Sequence, residues 1–193
     1  MPLHGVRVID LSRLLPGPLA TLILSDLGAE VIRVENPAGD DYTRHLEPLY
    51  PDGMGAVFHT LNRGKKSVAL DLKTVSGLDC FLQMLESADV LVESFRPGVL
   101  KKLNLAPKTL QKRFPRLIIC SISGYGQSGI TAHFWQKNTA AWQRIFSKLN
   151  ACVEAIVKNN HMQPTRLPLS KALSHPSAKP APQLGEDNAD FLL

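Results

Sequence analysis

The residues of this chain best suited to chemistry are cations and polar groups that follow short apolar runs at proline or glycine turns. Lys73 comes directly after KSVALDL, Arg96 and Lys102 lie just beyond DVLVESF, and ISGYGQSG closes the run RLIICSIS. If these runs are parallel strands, ligands gather beyond their carboxyl ends. Residues 15–18, 35–36, 71–73, 94–98 and 123–129 then share one rim. Any one such turn is what a strand end needs anyway. Five of them, with Lys73, Arg96 and Lys102 nearby, make a ligand-binding rim. The formal net charge of +5 favours an anionic ligand, and a phosphorylated small molecule fits the rim best.

Other chemistries find less support. GYGQSG has the form Gly-x-Gly-x-x-Gly, but a dinucleotide fingerprint normally follows the first strand, with an acidic residue ending the next. Here it follows the fifth run, so a dinucleotide-binding domain is the weaker reading. Cys80, Cys120 and Cys152 are widely spaced among apolar residues and read as buried free thiols. The six histidines form no ligand pair, and no metal site is expected. The basic residues, among them Arg33, Arg63, Lys65 and Lys66, are dispersed, and aromatic residues make up only 6% of the chain. Nucleic acid is therefore not an expected partner. No apolar run reaches the length of a membrane span, and MPLHGVRVIDLS is not patterned as a signal peptide. The expected location is cytoplasmic, with mitochondrion and peroxisome as alternatives.

The elements that would carry the rim follow from periodicity. GVRVIDLS reads as a strand and meets the breaker LLPGP, where Pro18 suits the first turn of a helix. PLATLILSDLGAE has helical spacing and stops near Gly28. VIRVE is the second strand, residues 36–60 a long Pro/Gly/Asp-rich loop, and KSVALDL the third strand. Residues 74–87 form a helix with Leu78, Phe81, Leu82 and Leu85 as its apolar stripe. DVLVESF is the fourth strand, residues 100–113 a helix, and RLIICSIS the fifth strand. Strands alternating with crossover helices predict an open parallel α/β sheet. Beyond Gly129 the texture changes: residues 130–160 suggest an amphipathic helix, and 161–182 a Pro/Ser/Lys-rich linker.

GVRVIDLSRLLPGP, LGAEVIRVENPAGDD, LNRGKKSVALDLK, ADVLVESFRPGVLKKLNL and PRLIICSISGYGQSG follow in order and at natural spacing. Together they resemble the N-terminal part of the family III CoA-transferases of the CaiB/BaiF type, which include α-methylacyl-CoA racemase. The resemblance covers about two thirds of the chain. FRPGVLKKLNL followed by SGYGQSG leans slightly toward the racemase branch, whereas Leu15 replaces the glutamine of formyl-CoA transferase. It implies a Rossmann-like sheet with crossover helices, and coenzyme A or acyl-CoA bound at the rim as substrate. The positions matching the family's nucleotide contacts are Asn36, Leu70, Lys73, Ser94, Phe95 and Lys102. Phe95 would face adenine, and Lys73 and Lys102 would meet phosphates as point charges. Asn36 stands where many relatives have arginine.

The family pattern breaks after Gly129. Lys137 stands where the racemase histidine is expected, and His133 lies in TAHFWQK, outside the motif. KNTAAWQRIFSKLNACVEAIV resembles a late segment of the family, and PAPQLGEDNADFLL its C-terminal signature. The expected organisation is an N-terminal CoA-binding domain over 1–129, a remnant of an incomplete second domain over 130–160, and a linker with tail over 161–193. An internal deletion would explain it. Neither the nucleophilic aspartate of a transferase nor the His/Asp pair of a racemase can be placed, and Asp71 and Glu93 suit turn caps. No catalytic residue is assigned. The chain is expected to bind CoA esters without full catalytic activity; the alternative is a catalytically dead binding or dimerisation module, a truncated isoform or remnant. Its expected partners are acyl-CoA or CoA, and a second copy in a homodimer or a full-length subunit.

Overall fold

A computed structural model describes residues 1–39, 41–124, 126–127 and 181–191. Its centre is one sheet of five strands: β1 (Arg7–Leu11), β2 (Glu30–Glu35), β3 (Lys66–Ala69), β4 (Val90–Glu93) and β5 (Ile118–Ser121). They lie in the order 3-2-1-4-5, and each neighbouring pair is parallel. The crossovers are α1 (Pro16–Asp26), α2 (Ala56–Asn62), α3 (Val75–Glu86), α4 (Val99–Lys102) and α5 (Pro107–Arg113). This is the open parallel α/β sheet read from the pattern.

Pro16 and Pro18 both fall in the first turn of α1, where a missing N–H costs little. The helix ends in a Schellman turn: the Gly28 N–H donates to the Ser25 carbonyl and the Ala29 N–H to Leu24. Gly28 has φ of +103°, a conformation that a side chain would strain. In α3, Phe81 and Leu85 are buried, and Leu78 and Leu82 pack partly buried against the core. Full burial of each such side chain contributes about 1.5–3 kcal/mol.

The two sheet faces are built differently. Ile9, Leu11, Ile32, Val34, Val68 and Leu91 form one apolar layer with α3, Leu105 and Leu110. The register places Asp10 beside Arg33 and Arg33 beside Ser67 on the opposite face. That face carries a buried polar row next to Val8, Val31 and Val92.

Three local expectations are corrected. Residues 36–60 are not one irregular loop: Asp41 caps a 3-10 turn (Tyr42–His45), and α2 begins at Ala56 and buries Phe58. These elements are too short to show a period in sequence. The helix expected over 100–113 is two helices. Asn104 turns left-handed, with φ of +60°, and Ala106 is extended before Pro107, which disfavours helical backbone in the preceding residue. Cys120, expected to be buried, is exposed because β5 is an edge strand, whereas Cys80 is half-buried. Cys152 and residues 130–160 lie outside the described residues.

The tail 181–191 packs on the outer edge of β3 and ends in a helical turn (Asn188–Phe191). It belongs to the same compact unit as the sheet, which comprises residues 1–124 and 177–193. Among the described residues, no helix is long and apolar enough to cross a membrane.

Candidate functional site

A cleft of about 340 Å³ opens beyond the carboxyl ends of β1 to β4. Its walls include Leu11, Leu70, Leu72, Phe95, Val99 and Leu103, and Arg13, Lys73 and Arg96 bring cationic side chains to it. The crossovers leave β1 toward β2 on one side, while β4 flanks β1 on the other. The cleft therefore lies at the switch point where open α/β sheets accommodate ligands.

Each loop around the cleft is fixed by its own sequence. After β1, Asp10 accepts from the Ser12 N–H at 2.8 Å and from the Ser12 hydroxyl. Gly17 closes against this turn, and a Cβ there would lie 2.1 Å from Ser12 Cβ. After β3, Asp71 accepts from the Lys73 N–H at 3.0 Å, and the Thr74 hydroxyl caps α3 by accepting from Gly77 N–H at 3.1 Å. After β4, Glu93 accepts from the Phe95 N–H at 2.8 Å, and Gly98, with φ of +87°, starts α4. Asp71 and Glu93 thus stabilise turns.

The residues singled out in the sequence separate into two groups. Asn36, Leu70, Lys73 and Phe95 line the cleft. Ser94 accepts from the Arg13 N–H at 3.0 Å and ties the β1 loop to the β4 loop. Lys102 is exposed on α4 and is not among the lining residues. Arg13 was missed: it lines the cleft with its guanidinium 5.8 Å from the centre of the Phe95 ring. Its place directly after the DLS of the first strand was the available signal. His133 and Lys137 lie outside the described residues.

Beneath the β2 side of the cleft is a buried cluster of three carboxylates and three cations. Asp10, Glu35 and Asp41 face Arg33, Arg44 and Lys65, so its formal charge sums to zero. Arg44 grips Glu35 through two nitrogens at 3.0 and 2.6 Å. Arg33 pairs with Asp41 and donates to Asn62 at 3.1 Å. The two guanidinium groups lie over the Phe58 ring at 5.0 Å for Arg33 and 3.9 Å for Arg44. Lys65 donates to Pro18 O at 2.9 Å, Thr21 Oγ1 at 2.8 Å and Asn62 Oδ1 at 3.0 Å, and pairs with Asp10 at 3.3 Å.

Burial alone would push the Asp10 carboxyl up, but Lys65 and then Arg33 outweigh it and hold it below its ordinary value. Burial is likewise outweighed at Glu35 by Arg44 and Arg33, and at Asp41 by Thr43 and Arg33, so both carboxyls are lowered. For Lys65 burial prevails over the attraction of Asp10, and its pKa falls to about 8. Lys65 therefore holds the protein together from inside, whereas Arg33 reaches the cleft wall with its charge paired to Glu35 and Asp41.

The arrangement offers a half-apolar slot with an aromatic wall and cations at its mouth. It suits a flat heterocycle carrying phosphates. The carboxylates near the opening are engaged: Glu35 by Arg44, and Asp71 by the Lys73 amide. A second hollow of about 440 Å³ lies beside Tyr42, His45, Asp52 and Leu184. Its guanidinium, Arg44, is already committed to Glu35.

The family model described as CoA-transferase family III matches residues 3–169. The chain is 43% identical over 132 residues to the succinyl-CoA:glutarate CoA-transferase of Mus musculus, covering 68% of this chain and 30% of that protein. It is 46% identical over 133 residues to the acetyl-CoA:oxalate CoA-transferase of Acetobacter aceti, covering 69% and 34%. The crystal structure of the hypothetical protein Rv3272 from Mycobacterium tuberculosis is similar with a TM-score of 0.60 at 43% identity, over 66% of this chain and 34% of that one. A CAIB/BAIF family protein from Brucella suis is similar with a TM-score of 0.65 at 41% identity, over 68% and 36%. The chain spans about a third of the length of these relatives.

Proposed function

Because this chain belongs to CoA-transferase family III, we propose that it binds coenzyme A or an acyl-CoA through the nucleotide end, in the cleft beyond β1 to β4, and does not transfer the acyl group by itself. The observation that carries this reading is the pairing of the Phe95 wall with Lys73, Arg13 and Arg96 around one opening. Adenine is a flat π-system that gains from an aromatic and aliphatic slot. Its attached phosphates gain from cations at the mouth, where charge-assisted hydrogen bonds are strongest. Asn36 and Leu70 complete the β2 and β3 sides of the slot, and Ser94 holds its two main loops together. Lys102 contributes to the field from the neighbouring helix. Relatives named as CoA-transferases support transfer-type thioesters as the ligand class over the racemase reading.

The expectation of no turnover is supported by the described carboxylates near the cleft. A covalent mechanism needs a carboxylate free to attack the thioester, and Glu35, Asp71 and Glu93 are all occupied in holding the fold. Pairing with a second copy or a full-length subunit would be the route to an active assembly.

Calorimetric titration tests the binding reading. CoA is expected to bind, whereas pantetheine, which lacks adenine and phosphates, is not. Lys73→Ala should weaken CoA binding about tenfold, as loss of a charge-assisted contact does. Equal affinity for pantetheine, or a Lys73→Ala protein that binds CoA unchanged, would refute it. Incubation with succinyl-CoA and glutarate should leave the thioester where it is; formation of glutaryl-CoA would overturn the second half.

A further inference from the structure

The edge of a sheet presents unpaired N–H and C=O groups, and proteins cover or interrupt such edges. On β3, the Leu70 N–H donates inward to Glu35 O at 2.8 Å, so the alternate amides of Ser67 and Ala69 face outward. The C-terminal tail meets both. Asp187 Oδ2 accepts from Ser67 N–H and Asn188 Oδ1 from Ala69 N–H, each at 2.7 Å, while the Asp187 N–H donates to Ser67 O at 2.9 Å. Two side chains and one amide thus do the work of a neighbouring strand.

The tail also reaches the buried cluster by two routes. Gly185 N–H donates to Ser67 Oγ at 3.0 Å, and that hydroxyl donates to Glu35 Oε1 at 2.9 Å. Pro182 O accepts from Arg44 Nη1 at 3.3 Å, and Arg44 is the residue that grips Glu35 with two nitrogens. Ala181 packs with Met54 and Phe58, under the same two guanidinium groups. Glu35 and Arg33 line the cleft. Both routes therefore end at the cleft's β2 wall.

We infer that the C-terminal tail is a clip that sets the β2–β3 wall of the cleft, with Asp187 and Asn188 as positioning residues for ligand binding. Its consequence for affinity rests on the cleft being the CoA site. Its structural part does not. The clip holds the β3 edge, β3 and Arg44 hold Glu35, and Glu35 holds Arg33 at the wall.

The test uses the full chain carrying Asp187→Ala with Asn188→Ala, and compares it with Asp187→Asn, which keeps a side-chain oxygen for the Ser67 amide. Amide hydrogen exchange is followed at Ser67, Ala69 and Leu70, and CoA affinity by titration. The double variant should exchange about tenfold faster at Leu70 as well as at Ser67 and Ala69, and bind CoA about fivefold more weakly. Asp187→Asn should restore most of both. Faster exchange confined to Ser67 and Ala69, with Leu70 and CoA affinity unchanged, would overturn the inference. If the wild-type chain does not bind CoA, the proposed ligand fails, and Leu70 exchange alone decides for or against the clip. If the double variant does not fold, Asn188→Ala, which removes one hydrogen bond, is judged by the same Leu70 and CoA readouts.

Discussion

Replacing Lys65 with methionine removes one ammonium group from a sealed site while keeping most of the side chain's volume. The wild-type Nζ sits among Asp10, Pro18 O, Thr21 and Asn62, with essentially no exposed surface. Without it, Asp10 keeps the Ser12 and Thr21 hydroxyls but loses its nearest cation, and the formal charge of the cluster falls from zero to −1. Removing one partner of a buried pair costs about 3–5 kcal/mol. Some of this is offset, because burial already disfavours the ammonium itself. A fall from the ordinary lysine value to about 8 corresponds to roughly 3 kcal/mol at about 1.4 kcal/mol per pH unit. A net loss of about 1–2 kcal/mol is therefore expected at pH 7.5, or roughly 5 °C in melting temperature for a unit of this size. The pH dependence adds a second check. Between pH 8 and about 10 the unfolded chain retains the Lys65 proton that the folded chain has released, so wild-type stability gains from this group as pH rises. The methionine variant lacks that gain, and the gap between the two should widen over this window. Thermal unfolding followed by circular dichroism at pH 7.5, 8.5 and 9.5 measures both effects. No measurable loss at any of these pH values would show that Lys65 does not neutralise Asp10 as described, and a gap that narrows as pH rises would show that attraction to Asp10, not burial, prevails at Lys65.

Three further expectations concern the same region. Gly17→Ala places a methyl group on Ser12, so either the Ser12 hydroxyl leaves Asp10 or α1 shifts; the cost should be about 1–3 kcal/mol, with weaker CoA binding, and an unchanged melting curve would contradict the contact. Asp10, Glu35 and Asp41 are held below ordinary carboxylate values, so their contribution is complete above about pH 4 and is lost as pH falls through their folded values. Melting temperature should therefore hold from pH 7 to 5 and fall steeply below about 4; a decline beginning near pH 6 would point to other groups. Phe95→Ala should reduce CoA affinity by about tenfold through the loss of aromatic contact, and a protein that melts normally but binds CoA unchanged would remove Phe95 from the site.

Much of the fold was legible because a parallel sheet buried on both faces writes near-continuous apolar runs such as RVIDL and VLVE. The rim was legible because turns at strand ends need proline, glycine or a capping carboxylate. The cluster was not. Arg33 and Lys65 look like solvated charges in sequence, and their partners lie 8 residues away at Asp41 and 55 away at Asp10. Burial of such groups depends on which strands become neighbours, which no local period encodes. Arg13 was missed for a related reason: its wall partner, Phe95, lies 82 residues later, just after the β4 strand that packs beside β1. The contacts of the tail were equally hidden, because a segment that pairs through the Asp187 and Asn188 side chains leaves no strand pattern behind.

Gly124 and Ala181 belong to one body, so the chain leaves the sheet unit and returns to it. Whatever lies between these two points is, in topological terms, a guest held at both ends by its host. The entropy of closing such an excursion grows only with the logarithm of its length, so long and short versions cost the sheet nearly the same. The chain's junction between residues 124 and 181 can therefore lengthen or shorten at little entropic cost to the strands.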